Sequence, residues 1–297
     1  MRGQLRYHEL VVRSLRSAGL SVHSVLDPAR LAASVPQAWW MLGRLRPAAL
    51  FTTGGYLAMP LVLAARARSI PTLVWEGNVQ PGRATRAIGR FATRVAVSFP
   101  PTLDAFPGNS FVSGTPIRSF DGIDRAAARR SFGLDPGDRL LVVFGGSQAV
   151  ARMNAAVARA LPQLVADWHV LHLAGDDGMA DALVAADLVV GRAGSSTCAE
   201  LAAAGVPSIL VPYPYAGAHQ RYNARYLVNE GAAVEIPDDE LTSERLLAET
   251  EALLHDHRRH GMADAAGRLG RPHAARMLAD ELVALAEGGP LPSTVLS

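Results

Sequence analysis

The chain has 297 residues and 49% of them are apolar, core material for one large or two medium domains and too much for a disordered chain. Its formal charge is only +2, with Arg supplying all 29 basic residues, and this near-neutral balance argues against a nucleic-acid partner. The single cysteine, Cys198, excludes an internal disulfide framework and a cysteine-based zinc site, and fits a reducing compartment.

No apolar run reaches the roughly 18 residues that a membrane-crossing helix needs. The opening stretch MRGQLRYHELVVRSL alternates charged and apolar residues, unlike a signal peptide. These features lead us to expect a soluble, cytoplasmic protein. Along the chain, VPQAWWMLGRLR (35–46) reads as a helix. Its Trp39, Trp40, Met41 and Leu42 lie beside Arg44 and Arg46. That pattern suits an apolar face packed on a sheet, and equally an amphipathic contact with lipid. Strands are predicted at 48–53, 72–75, 94–98 and 111–113, with helices at 60–68 and 83–91. The Gly-, Pro- and Ser-rich stretch PGNSFVSGTPIRSFDG (107–122) reads as a linker, and SFGLDPGD (131–138) as a turn. Beyond it, strands are predicted at 140–144, 169–173, 187–191, 208–212 and 233–236. Helices are predicted at 149–161, 179–186, 197–204, 220–230 and 242–255. Such alternation specifies an α/β protein with parallel sheets and right-handed crossovers. We place one domain at residues 1–117 and a second at 118–297, the last helix returning towards the first domain.

Three strand-to-helix turns carry glycine or hydroxyl residues. Gly145-Gly146-Ser147-Gln148 follows the strand at 140–144, and a helix N-terminus after it would offer N–H groups to a diphosphate. Gly194-Ser195-Ser196-Thr197 follows the strand at 187–191. Here Thr197 and Glu200 have the spacing of a capping box. The same residues could instead offer N–H groups to phosphate and a carboxylate to a ribose diol. Thr52-Thr53-Gly54-Gly55-Tyr56 is the third, in the first domain. Each is also compatible with an ordinary tight turn.

Taken in order, TTGGYLAMPLVLAARARSIP, WEGN (75–78), SGTPIR (113–118), VVFGGSQ (142–148), RAGSSTCAELAAAGVPSILVPYP (192–214) and HQRYNARYLVNEGAA (219–233) resemble the MurG family. These bacterial transferases move N-acetylglucosamine from UDP-GlcNAc to lipid I, giving lipid II. The resemblance covers roughly residues 10 to 285. It implies a GT-B fold, two Rossmann-like domains facing a cleft, and inverting chemistry at the cytoplasmic face of the plasma membrane. It places Asn78, Arg118, Gly146, Ser147, Gln148, Ser195, Ser196, Thr197, Glu200 and Gln220 on the donor. Arg118 and Ser147 would meet the diphosphate, Glu200 the ribose and Gln220 a sugar hydroxyl. Gly54, Gly55 and Tyr56 would face the lipid-linked acceptor. No cofactor is implied, and Asp176-Asp177 reads as a solvated turn rather than a metal site.

The chain departs from the family pattern in three places. The family's opening Gly-rich loop with its histidine has no counterpart here, and GDDG (175–178) replaces a longer connection. Trp75 stands where the family has His. Glu76 and His219 are then the candidate general bases, each with a plain alternative as a solvated acid or a surface histidine. The competing readings are a truncated homologue that binds a nucleotide sugar without turnover, another GT-B glycosyltransferase, or a UDP-sugar epimerase.

Overall fold

A computed structural model describes residues 23–145, 151–173, 175, 177–214, 219–254 and 256–292. The chain forms two compact units. The first comprises residues up to 76 together with 81–112 and 276–297; the second comprises 77–80 and 113–275.

The first unit opens with α1 (His23–Leu45), β1 (Leu50–Thr52), α2 (Met59–Ala67) and β2 (Thr72–Glu76). It continues through α3 (Arg83–Gly89), β3 (Arg94–Val97) and β4 (Ser110–Val112). The four strands are parallel in the order β1-β2-β3-β4, with Val74 opposite Val95 and Ala96 opposite Phe111. Parallel strands need covered faces, and β2 and β3 are buried almost throughout. Val74, Val95 and Val97 pack one face against Val62, Ile88 and Phe106. Helix α1 packs one of its faces on the first unit. Ser34, Ala38 and Leu42, at four-residue spacing, are buried, the last two against Ala64 and Ala65 of α2, while Trp39 and Trp40 are exposed. The Arg68 guanidinium stacks 4.1 Å over the Trp39 ring, and Arg44 lies 5.5 Å from that of Trp40.

The second unit holds α4 (Arg125–Ser131), β5 (Leu140–Phe144), α5 (Ala151–Leu164), β6 (His169–Leu173), α6 (Met179–Ala185), β7 (Leu188–Gly191) and α7 (Ser195–Ala204). Then come β8 (Ser208–Leu210), α8 (His219–Asn229), β9 (Ala233–Glu235), α9 (Ser243–Ala252) and α10 (Asp256–Leu269). Its sheet is parallel in the order β6-β5-β7-β8-β9. Every residue of β5, β7 and β8 is buried, including the polar Ser208 that opens β8, as strands covered on both faces require. Met153, Ala156, Val157, Ala160 and Leu164 line the inner stripe of α5 against this sheet. The final helix, α11 (Ala274–Glu287), brings Leu278 against Leu73, Ala96 and Phe111 of the first sheet. Buried Glu281 binds Arg94 Nε of β3 at 3.1 Å.

Two expectations need correction. The strand expected at 111–113 is present as β4 (Ser110–Val112), but between the predicted linker and turn, where no element was expected, the chain forms α4. Asp124 caps α4 by accepting from Ala127 N. The second concerns the helix after β7. Its N-cap is Gly194, so Thr197 and Glu200 are not a capping box; Glu200 lies six residues inside α7.

Candidate functional site

The strand order of the second sheet reverses between β5 and β7. From β5 the chain steps outward to β6, then crosses back to β7 on the other side. Ligands of open α/β sheets bind beyond the carboxyl ends of strands at such a reversal. The two strands end level, Phe144 opposite Gly191, so Gly145 and the Arg192–Thr197 turn lie at that point. Gly146, Ser147 and Gln148 lie outside the described residues, as does Asp176.

Helix α7 starts at this place without a side-chain cap. Cys198 N donates to Gly194 O, while the N–H groups of Ser195, Ser196 and Thr197 precede the first intrahelical acceptor. Such an end attracts anions through both its donors and its dipole. Ser196 is exposed, and Ser195 and Thr197 are half-buried. Beneath them Cys198 is buried, and burial pushes its thiol up to about 12, keeping it a neutral packing group.

Glu200 is only 7% exposed, and a buried carboxylate needs a partner. Arg118 supplies it: Nε donates to Glu200 Oε1 at 2.7 Å. The family resemblance assigned these two residues to different parts of a ligand, and the fold makes them neighbours. A carboxylate has about four acceptor positions, so Glu200 can hold Arg118 and still accept hydroxyls.

Helix α8 contributes three side chains. Gln220 Oε1 accepts from Tyr213 N at 2.9 Å, which orients its amide with NH2 as the remaining end. His219 Nδ1 lies 2.9 Å from the Gln80 carbonyl. A carbonyl only accepts, so Nδ1 carries the hydrogen and Nε2 holds the lone pair of the neutral ring. The third side chain, Asn223, is fully buried and was not singled out from sequence. It bonds Asn78 and Val79 of the 77–80 strip and the Ala193 carbonyl just before α7. Arg192 was also missed. It is buried, donates to Val211 O, pairs with Asp238 and lies 5.5 Å from the Tyr213 ring. It thereby ties the end of β7 to the segment after β8. Its only sequence signal is a charge adjoining an apolar strand.

In the first unit, Gly54 and Gly55 have φ of +80° and +83°. A Cβ on Gly54 would stand 2.5 Å from Thr85 Oγ1, the atom that accepts from Gly55 N, so this turn requires glycine. It delivers Tyr56 and Leu57 to the surface, 43% and 48% exposed. Glu76 ends β2 and is not a solvated acid: it is 5% exposed, and its Oε2 accepts from Gly82 N at 3.2 Å, at the cap of α3. Trp75 is half-buried and packs with Leu73, Ala96 and Phe111. Among the described residues, no cluster of three or more His, Cys, Asp or Glu side chains is placed to hold a metal.

Comparison with known proteins follows the same division. Residues 2–97 match the model of the glycosyltransferase family 28 N-terminal domain, and residues 176–278 that of the family 28 C-terminal domain. Fold and family models together define a GT-B glycosyltransferase that uses a UDP-sugar. A protein of Chlorobium luteolum named UDP-N-acetylglucosamine–N-acetylmuramyl-(pentapeptide) pyrophosphoryl-undecaprenol N-acetylglucosamine transferase is 39% identical, over 95% of this chain and 85% of its own length. One of the same name from Nocardioides sp. is also 39% identical, over 80% of this chain and 73% of its own. The crystal structure of Acinetobacter baumannii MurG superposes with a TM-score of 0.75 at 27% identity, covering 86% of this chain and 79% of that one. The chain belongs to this family of N-acetylglucosamine transferases, the MurG family.

Proposed function

We propose that the protein transfers N-acetylglucosamine, with inversion, from UDP-GlcNAc to lipid I, making the lipid II of peptidoglycan synthesis. The observation that carries this reading is the Arg118–Glu200 pair beside the uncapped start of α7, at the reversal of the strand order. In it, Glu200 accepts the ribose hydroxyls. Arg118 and the N–H groups of Ser195, Ser196 and Thr197 stabilise the diphosphate as it leaves. Gly146, Ser147 and Gln148 contact the same diphosphate. Asn78 and Gln220 read the sugar, each through an amide NH2. Gly54, Gly55 and Tyr56 serve the acceptor.

In the reaction, the acceptor hydroxyl attacks the anomeric carbon as the bond to UDP breaks, and its proton passes to a base. Glu76 and His219 Nε2 are the two candidates. The acceptor is a membrane lipid, and no described helix is long and apolar enough to cross a membrane. We place the protein at the inner membrane surface, with Trp39 and Trp40 beside Arg44 and Arg46 as the contact. The decisive experiment is UDP release from UDP-GlcNAc with and without a soluble lipid I analogue. Acceptor-dependent release supports the transferase. UDP binding with no release under either condition favours a homologue that binds the nucleotide sugar without turnover. If release occurs, Glu76→Gln and His219→Gln then identify the base by which one removes the limb of the pH profile that rises with pH.

A further inference from the structure

We infer that Asn223 is a positioning residue: it turns the side-chain amide of Asn78 so that this residue meets the nucleotide sugar as a hydrogen-bond donor only. The inference rests on the donor-site reading above. It begins from two backbone groups whose roles are unambiguous. Val79 N–H can only donate, and it lies 3.0 Å from Asn223 Oδ1. The Ala193 carbonyl can only accept, and it lies 3.2 Å from Asn223 Nδ2. Those two bonds leave one orientation for the Asn223 amide. Its second Nδ2 hydrogen points at Asn78, 3.2 Å away, and can be received there only by Oδ1. The other end of the Asn78 amide is therefore NH2. A group that only donates selects an acceptor oxygen of the sugar, in a hydroxyl or the N-acetyl carbonyl, and disfavours a ligand that presents only a donor there.

Three features set Asn223 apart from an ordinary core asparagine. It is fully buried, so water cannot replace the bonds it makes. Its three partners come from separate stretches: 78–79, and Ala193 at the entry to α7. One of them, Asn78, is an expected ligand contact. Position 223 thus couples the 77–80 strip to the turn that begins α7 through a single amide.

The test is a double-mutant cycle on UDP-GlcNAc binding, measured by calorimetry on the full chain with Asn78→Ala, Asn223→Ala and both. Each single change should weaken binding by about tenfold, and the pair by little more than either alone, because Asn223 acts through Asn78. In turnover the loss should appear in KM for the donor rather than in kcat. Fully additive losses, or an Asn223→Ala protein that binds as tightly as the wild type, would overturn the inference. Asn223→Ser serves as the milder variant if Asn223→Ala does not fold. A readout free of ligand is the side-chain amide of Asn78 in a 15N-correlated NMR spectrum, assigned by its loss in Asn78→Asp. It should shift and gain solvent exchange in Asn223→Ser; an unchanged signal refutes the orientation itself. Wild-type protein that binds no UDP-GlcNAc would refute the donor-site reading, and the NMR result would still decide whether Asn223 orients Asn78.

Discussion

Glu200 sits too deep in α7 to cap it, and its burial is tolerated because Arg118 Nε lies 2.7 Å away. Each residue therefore supports the other's work. Arg118→Ala should cut UDP affinity by tenfold or more while changing uridine affinity much less, since only UDP carries the diphosphate. On the proposed donor-site reading, Glu200→Ala should weaken both ligands, because it removes the proposed ribose acceptor and leaves Arg118 without its anchor. Calorimetric titration of the two variants with UDP and uridine distinguishes these outcomes; equal losses in Arg118→Ala would deny it the diphosphate. At this scale the sequence exposed the residues with chemically distinctive settings. A serine pair after an apolar strand and an acid in an Ala-rich helix stand out. Asn223 and Arg192 did not, because their burial depends on what packs over them. In HQRYNARYLVN, Asn223 looks like any surface residue of a polar helix.

The strands were legible because each is a short apolar run between turn residues, and β5 and β6 have the bounds expected for them. Helix α4 was not. RAAARRS has no apolar stripe, and its arginines secure it instead. Arg125 Nη2 and Arg129 Nη1 bind the two oxygens of Asp187 at 2.8 and 2.9 Å, and Leu140 N also donates to Asp187, joining α4 to the starts of β5 and β7. Helix α10 was missed for a related reason: it buries small residues, Ala265 and Ala266, rather than a row of large ones. Close packing near α10 gives a stability prediction. A Cβ on Gly270 would stand 2.8 Å from the Ala202 carbonyl of α7. Gly270→Ala should therefore cost about 1–3 kcal/mol in denaturant unfolding. Within α7, Cys198 predicts a pH dependence. Burial raises its thiol from an ordinary value of 9.0 to about 12. Between those values the unfolded chain releases a proton that the native chain keeps. This contribution is complete below pH 9.0 and is lost as pH rises towards 12, so Cys198→Ala should flatten the alkaline fall in stability measured by urea titration.

For the whole molecule, the surface of the first unit carries its own prediction. Trp39 and Trp40 are 43% and 65% exposed, so replacing both with Ser should leave the melting temperature nearly unchanged. Association with anionic vesicles should fall about tenfold in a sedimentation assay, with UDP binding intact. Unfolding of the variant would instead assign the pair to the core. By itself the sequence determined the α/β class, the alternation that builds two parallel sheets, and the glycine and hydroxyl turns at the strand ends. It did so because hydrophobic period and turn chemistry are local properties. Tertiary structure alone decided that Glu200 faces Arg118 rather than its own helix start, that α1 turns its tryptophans outward, and that Asn223 governs Asn78. Those outcomes depend on which groups lose water together, and residues far apart in the chain settle that only when the sheets and helices close over them.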